Sequence, residues 1–247
     1  MSCSNQIDAA KAGDIESLQL LMSLPDFRWN SNTTACAALH GHLEFLKFVH
    51  EHGCPWAFET CPCAAMKGHL DCLKFAHEHG ARIPSYTAND ALNDGHFECL
   101  KYVCEKGCPV DEFSSFKAAE HSLECLEYLH SIGCPMDVYT SIYAARNFRL
   151  DCLRFALEHG GCPFEMATCS SLNQHVDKID LDQHIWLRNQ FFSMIQSSEL
   201  IPRKDSQQLY DKVQAKIEEI KLQKQFALHE CNELPNELVN FIILDYF

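Results

Sequence analysis

Apolar residues recur along the chain in short blocks that have the spacing of a helix. In one block, Leu70, Leu73, Ala76 and His77 lie at positions i, i+3, i+6 and i+7. An α-helix has about 3.6 residues per turn, so this spacing places the four side chains on one face. Neighbouring apolar residues widen that face. The block therefore predicts an amphipathic helix that packs against several other helices.

The same block occurs six times at a nearly constant interval. Its first apolar residues are Ile15, Leu43, Leu70, Phe97, Leu123 and Leu150, which lie 28, 27, 27, 26 and 27 residues apart. Chance would not keep this register over so many copies. A fixed period of this length predicts a solenoid, in which each unit contacts only its neighbours.

A shorter helix of small residues is predicted before each block. Examples are "TCPCAAMK" from Thr60, "TANDALND" from Thr87 and "TSIYAARN" from Thr140. Threonine at the start suits a helix N-cap. Glycines stand where the longer helices should end, at Gly53, Gly80, Gly107, Gly133 and Gly160, and a proline follows soon after in four copies. Each unit is therefore predicted to be a helical hairpin.

A small-residue helix, then "GHLEFLK", then a glycine-capped end resembles the ankyrin repeat. The ankyrin period is about 33 residues, whereas this chain repeats at about 27 and lacks the "T-P-L-H" start. The pattern is most similar to the short ankyrin variety common in giant-virus and protist proteins. The residues missing from this shorter repeat are those that form the β-hairpin finger in an ankyrin repeat.

The resemblance covers residues 5–172 and implies an all-α, ankyrin-like helical-hairpin solenoid of about six repeats. Residues 173–247 are predicted to be a C-terminal helical extension, in which one segment caps the last repeat and a charged helix follows over residues 206–230.

Charge and composition narrow the choice of partner. The formal net charge is −14 and the pI is about 5.4, so neither nucleic acid nor an anionic membrane is an expected partner. No apolar run approaches the roughly 20 residues of a membrane span, and "MSCSNQIDAAKAGDIESL" contains no apolar signal core. We therefore expect an intracellular, cytoplasmic protein whose 15 cysteines are reduced.

The stretch "GHLDCLKFAHEHG" holds one cysteine and three histidines, which are typical zinc ligands. The other copies argue against a metal site, because the place of His77 is taken by Leu157 in the last copy and that of Cys72 by Phe45 in the second. We predict no metal and no cofactor, with cysteine acting as a small core residue. The histidines that follow glycine (His42, His69 and His96) are predicted to make hydrogen bonds between turns.

The chain contains no glycine-rich phosphate loop, no G-x-S-x-G and no H-E-x-x-H motif. A non-enzymatic protein is therefore expected. A metal-dependent or cysteine enzyme is the alternative class, which stoichiometric zinc or a reactive thiol would reveal.

The positions after each "GCP" differ from copy to copy, although the framework repeats. In ankyrin-like stacks this region lies on the concave, finger and first-helix side, where partners bind. The residues predicted to bind a protein there are Trp56, Phe58, Tyr86, Asp111, Glu112, Asp137, Tyr139 and Phe164. Aromatic residues are enriched in interface hot spots. The acidic residues favour a partner surface that is basic or of mixed charge. In the alternative interpretation, Trp56 and Phe164 pack on the first helix of the next unit.

The stretch "CNELPNELVNFIILDYF" resembles the opening of an F-box, with the pattern "LP-x-EL…I…YL/F". F-boxes bind the Skp-type adaptor of cullin ubiquitin ligases. The residues that this resemblance assigns to adaptor binding are Leu234, Pro235, Leu238, Ile242 and Tyr246. The alternative is an apolar helix that folds back on the preceding helices.

Two functional classes follow from these patterns. One is an interaction protein, a scaffold or inhibitor, that occupies a single protein partner. The other is a substrate receptor, in which the repeats hold a target and the terminal helix recruits a Skp-type adaptor and a cullin. Both use the same repeat surface, so only the terminal segment distinguishes them.

Overall fold

The computed structural model describes residues 5–160, 162, 168, 171–172, 186–187 and 211–219. These residues contain helices, turns and bends but no strand, which confirms the all-α prediction. By its internal contacts the chain divides into two compact units, residues 1–163 and 164–247. In the second unit residues 211–219 are helical, with Val213 and Ile217 fully buried. The predicted domain bounds of 5–172 and 173–247 stay a prediction.

Residues 5–160 form helices that pair in chain order. They are α1 (Gln6–Ala12), α2 (Ile15–Met22), α3 (Asn32–Leu39), α4 (Leu43–Glu51), α5 (Thr60–Met66), α6 (Leu70–Glu78), α7 (Thr87–Ala91), α8 (Phe97–Glu105), α9 (Glu112–His121), α10 (Leu123–Ser131), α11 (Val138–Arg146) and α12 (Leu150–Glu158). The second helix of every pair begins at the first apolar residue of one sequence block. The six-copy repeat is thus confirmed as six helical hairpins.

The core consists of one leucine column and one alanine column. The leucines come from the second helices and are Leu18, Leu46, Leu73, Leu100, Leu126 and Leu153, all fully buried. The alanines come from the first helices and are Ala10, Ala37, Ala64, Ala91, Ala118 and Ala144, also fully buried. Small side chains there let neighbouring first helices approach closely, and each buried leucine contributes roughly 2 kcal/mol of hydrophobic stabilisation.

Glycine ends the second helices largely as predicted. Gly53 follows α4 with a left-handed φ of +79°, and the next residue, Cys54, donates its N–H to the carbonyl of Val49 at 2.9 Å. This hydrogen bond, from the residue after the glycine back to a carbonyl in the last turn of the helix, is typical of a Schellman motif. Gly80, Gly107 and Gly133 repeat the conformation. Gly160 does not adopt a left-handed φ, so its predicted role as a cap of this kind is wrong; the last copy carries an extra residue in "HGGCP".

The predicted N-cap role of the first-helix threonines is also wrong. Thr60, Thr87 and Thr140 lie inside the helices and are fully buried. Their N–H groups already bond to carbonyls three residues earlier, as in Thr60 to Ala57 at 3.2 Å. The chain therefore turns before the threonine, and in one copy the threonine hydroxyl contacts the neighbouring repeat. The hydroxyl oxygens of Thr34 and Thr60, which belong to adjacent repeats, lie 3.0 Å apart.

Histidine side chains connect successive repeats next to a glycine. The Nε2 atom of His42 lies 2.9 Å from the carbonyl oxygen of Lys11 in the previous repeat, which confirms the predicted hydrogen bond for this copy. The ring of His69 lies against Gly41, whose φ is +73°. A Cβ atom on that glycine would come within 2.5 Å of the imidazole. Glycine is therefore required twice there, by its conformation and by the contact.

In the copies that contain it, the cysteine of the "GCP" motif connects a repeat to the start of the previous first helix. The Cys134 thiol donates to the carbonyl of Asp111 at 3.1 Å, and the Cys162 thiol donates to that of Asp137 at 2.9 Å. Cys54 makes a longer bond to Asn30, at 3.7 Å. Burial raises the pKa of the Cys54 thiol to about 12, so it keeps the proton that it donates.

Candidate protein-binding face

Four large aromatic side chains are exposed at the starts of successive first helices. Phe58, Tyr86, Phe113 and Tyr139 have 57%, 38%, 43% and 55% of their surface exposed. We call these four residues the aromatic row. Aromatic side chains of this size normally contribute to a core, and several of them exposed in register are typical of an interaction surface.

The register of the helices explains why these side chains face outward. Each lies one or two residues before the buried threonine or serine of its repeat, which is Thr60, Thr87, Ser114 or Thr140. One residue turns a helix by about 100°. The residue that precedes a buried position near the helix start therefore points away from the core. Three of the four, Tyr86, Phe113 and Tyr139, occupy the same register position.

The aromatic row has acidic neighbours. The Tyr86 hydroxyl donates to both carboxylate oxygens of Glu59, at 3.0 and 3.1 Å, and the rings of Phe58 and Tyr86 lie 6.2 Å apart. Burial, together with the hydrogen bond to the negative Glu59, raises the pKa of Tyr86 to about 12. The phenol is therefore neutral at physiological pH and holds the Glu59 carboxylate at the surface.

A second line of side chains lies one helical turn further along the first helices. It comprises Cys63, Asp90, Lys117 and Tyr143, each four residues after Glu59 or a member of the aromatic row. Residues at i and i+4 are neighbours on a helix surface. Burial raises the pKa of the Asp90 carboxyl; Lys117 opposes the shift and Glu59 adds to it. The Phe116 ring stacks on that of Tyr143 at 4.8 Å.

Asp111 and Asp137, both predicted to bind a partner, act as helix N-caps. The Asp111 carboxylate accepts the N–H of Ser114 at 3.1 Å, and that of Asp137 accepts the N–H of Tyr139 at 2.9 Å. Both belong to capping boxes, an arrangement that typically stabilises a helix by about 1 kcal/mol. Glu112 is exposed beside them. A further role of these three carboxylates in binding stays a prediction.

Trp56 lies between two repeats and is half-buried. Its indole N–H donates to the carbonyl of His79 at 2.9 Å, and its ring stacks on His50 at 4.8 Å. Trp29 makes the equivalent bond to His52 at 3.0 Å. Trp56 therefore packs against the end of the next second helix, whereas the alternative interpretation placed it on the next first helix. A shallow depression, lined by Trp56, Ala57, Phe58, Gly80 and Arg82, adjoins it.

Several residues of this face were not predicted, namely Glu59, Asp90, Phe113, Phe116, Lys117 and Tyr143. Their positions within the repeat could have indicated them, since each stands one residue before, or two or three residues after, the threonine or serine that is buried in its repeat. Of the predicted residues, Phe164 lies outside the described part of the chain, as do Leu234, Pro235, Leu238, Ile242 and Tyr246.

Two observations bear on metal and thiol chemistry in the described part of the chain. It contains no group of three or more His, Cys, Asp or Glu side chains that would hold a metal ion. Burial raises the pKa of Cys61 and Cys99 to about 12, and a thiol acts as a nucleophile only as its thiolate. No helix that the structure describes has the length and apolar character of a membrane crossing.

Comparison with known proteins supports the fold. No protein-family model matches the chain, and no curated protein matches it. The crystal structure of the human ASB11 ankyrin repeat domain is similar, with a TM-score of 0.56 and 19% sequence identity over 66% of this chain and 86% of that domain. The fold is that of an ankyrin repeat domain. In this ankyrin-like stack, the aromatic row lies on the side of the first helices.

Proposed function

We propose that this protein is a non-enzymatic interaction module that binds a protein partner through its aromatic row. The observation that carries the proposal is the exposure of Phe58, Tyr86, Phe113 and Tyr139 in four successive repeats. A repeat stack presents such residues on a rigid frame. Binding therefore costs little ordering of the backbone.

The chemistry of the face agrees with a protein partner. Interface hot spots are enriched in tyrosine and tryptophan and lie beside polar groups that orient the partner. Here Glu59, Asp90 and Lys117 supply charge beside the rings, and Glu112 extends the acidic surface. We place Trp56 at the edge of the site, where its packing between repeats supports the neighbouring Phe58.

Site-specific photo-cross-linking in cells tests this proposal. A photoreactive phenylalanine analogue is placed at Phe58 or Tyr139, and at Glu98 or Glu124 on the second helices as matched controls. We expect one protein to be captured from the two aromatic-row positions and not from the controls. Binding of that purified protein should weaken about tenfold or more in the Phe58→Ala, Tyr139→Ala double variant. Equal capture from all four positions would contradict the proposal.

A second candidate function rests on the F-box-like sequence "LPNELVNFIILDYF". In that case the repeats would hold a target while Leu234, Pro235, Leu238, Ile242 and Tyr246 recruit a Skp-type adaptor and a cullin. A co-purification that compares residues 1–247 with residues 1–231 tests it. Adaptor and cullin that are retained only by the longer chain support recruitment. Their absence from both samples leaves the interaction module alone.

A further inference from the structure

We propose that the partner is a basic, extended protein segment that places an arginine side chain over Tyr86, with its guanidinium group between Glu59 and Asp90. We call Glu59, Tyr86 and Asp90 the acidic site. This inference rests on the proposed function, since it specifies the chemistry of the partner that the same face would bind. It concerns the part of the face that belongs to α5 and α7.

The acidic site is held in place before any partner arrives. The Tyr86 hydroxyl is bonded to both oxygens of Glu59, so the carboxylate just before α5 and the ring just before α7 are fixed relative to each other. Asp90 follows Tyr86 by four residues and lies on the same side of α7. A cation placed over the ring would therefore meet a carboxylate on either side.

These carboxylates have no paired cation among the described residues, although Lys117 acts on Asp90 through its charge. Neither Glu59 nor Asp90 takes part in an ion pair with any residue that the structure describes. By contrast, Asp94, which also lies near the end of α7, pairs with Lys67 at 3.1 Å. Asp90 is half-buried, and an incompletely solvated carboxylate gains more from a cationic partner than an exposed one does.

The next repeat shows how a cation fits on this face. Phe113 and Lys117 occupy the register positions of Tyr86 and Asp90. The Lys117 ammonium lies 5.5 Å from the centre of the Phe113 ring, donates to the carbonyl of Asn89 at 3.4 Å and contacts the side chain of Asn93. The chain thus supplies its own cation over the ring of that repeat. One repeat earlier, a carboxylate replaces the ammonium, and we assign the cation over the Tyr86 ring to the partner.

The charge of the face selects the occupant. Glu59, Asp90 and Glu112 carry three negative charges, whereas Lys117 and Arg82, which lines the depression beside Phe58, carry two positive charges. The whole chain has a net charge of −14, which disfavours a second copy of itself. Arginine fits better than lysine, because a planar guanidinium stacks on an aromatic ring and donates to carboxylates on two sides. An extended segment would continue along the aromatic row towards Phe113 and Tyr139.

Binding of defined peptides to the full chain tests the proposal. The probe is a labelled peptide of alternating arginine and serine, and the comparison peptides replace arginine by lysine or by glutamate. Fluorescence anisotropy at low salt should show binding of the arginine peptide, weaker binding of the lysine peptide and none of the glutamate peptide. The Glu59→Gln, Asp90→Asn double variant should bind the arginine peptide about tenfold more weakly.

The matched control is the Glu98→Gln, Glu124→Gln double variant, which removes two exposed charges from the second helices. We expect it to bind the arginine peptide nearly as the unchanged chain does. If both double variants bound the arginine peptide equally weakly, the binding would reflect only the general attraction of a basic peptide to an acidic protein. That result would overturn the proposal. Circular dichroism establishes that each variant is folded.

A Tyr86→Leu variant separates the ring from the charges. It should lose the preference for arginine over lysine and keep a preference for basic over acidic peptides. Failure of the arginine peptide to bind at all would also overturn the inference. The proposed function would stand in that case, provided that Phe58 and Tyr139 still cross-link one partner selectively.

Discussion

The contacts between repeats and the aromatic row lie only a few residues apart, and they follow opposite rules. Between repeats, the same chemistry recurs: a cysteine thiol donates to a helix-start carbonyl, and a histidine ring lies against a glycine. Along the aromatic row, exposure is retained while the neighbouring charge changes from Asp90 to Lys117. Repeated chemistry therefore marks the residues that hold the stack, and varied chemistry marks those available to a partner.

The physical reason lies in the solenoid. Each unit contacts only its neighbours, so every internal unit must offer the same complement to the unit before it and the unit after it. An exposed side chain has no such constraint. The following predictions test this difference between residues that hold the stack and residues that are available to a partner, from the largest expected effect to the smallest.

Gly41→Ala should cause the largest loss of stability. The new Cβ would lie 2.5 Å from the His69 ring, in a backbone conformation with a φ of +73°. Gly53→Ala is the control, because its φ of +79° is similar but no atom lies within 4 Å of the added Cβ. Urea unfolding should show a loss of about 3 kcal/mol for Gly41→Ala and about 1 kcal/mol for Gly53→Ala. Equal losses would mean that the contact between the repeats has no importance.

Trp56→Ala and Phe58→Ala should separate packing from binding at two nearby positions. Trp56 loses its bond to His79 and its stacking on His50, so the free energy of unfolding should fall by about 2 kcal/mol. Phe58 is 57% exposed, and its removal should change that energy by about 0.5 kcal/mol or less. A comparable loss of stability in both variants would place Phe58 among the residues that hold the stack.

Thr60→Val should cost more than Thr87→Val, although both side chains are fully buried. The Thr60 hydroxyl donates to the carbonyl of Ala57 at 2.9 Å, whereas Thr87 Oγ1 is a buried atom without a hydrogen-bond partner in the described residues. Thermal unfolding should reveal a loss of about 1 kcal/mol for Thr60→Val and no loss, or a small gain, for Thr87→Val. The reverse order would contradict this assignment of the hydroxyl groups.

Acidification should produce the smallest of these effects, through His69. Burial lowers the pKa of His69 below the usual 6.5; the nearby His96, His42 and His40 add to the shift, and a bond to the carbonyl of Leu39 opposes it. The folded chain thus binds fewer protons than the unfolded chain. This contribution to stability is complete above about pH 6.5 and is lost as the pH falls towards the folded pKa.

The measurement is the midpoint of thermal unfolding as a function of pH. His69→Asn should flatten the decline below about pH 6.5. His130→Asn, at an exposed position of α10, is the matched control. A decline of equal slope in the His69 variant would assign the pH dependence to other groups.

Much of the fold could be predicted because its signals are local. The starts of the second helices, at residues such as Leu43 and Leu70, follow from apolar spacing. The N-cap assignments failed because a threonine near a helix start suits either a cap or a buried hydrogen bond. The capping role of Asp111 and Asp137 was missed for a similar reason, since a carboxylate at that position serves as a cap or as a surface charge.

The sequence by itself determined the number of repeats, their period and the starts of the second helices. These depend on helical spacing within a unit, which is local. Only the tertiary structure decided which polar side chains take part in contacts between repeats. Glu59 meets Tyr86 across 27 positions of the chain, and Cys134 meets the carbonyl of Asp111 across 23. Such contacts depend on how one repeat lies on the next, and spacing within a repeat does not specify that arrangement.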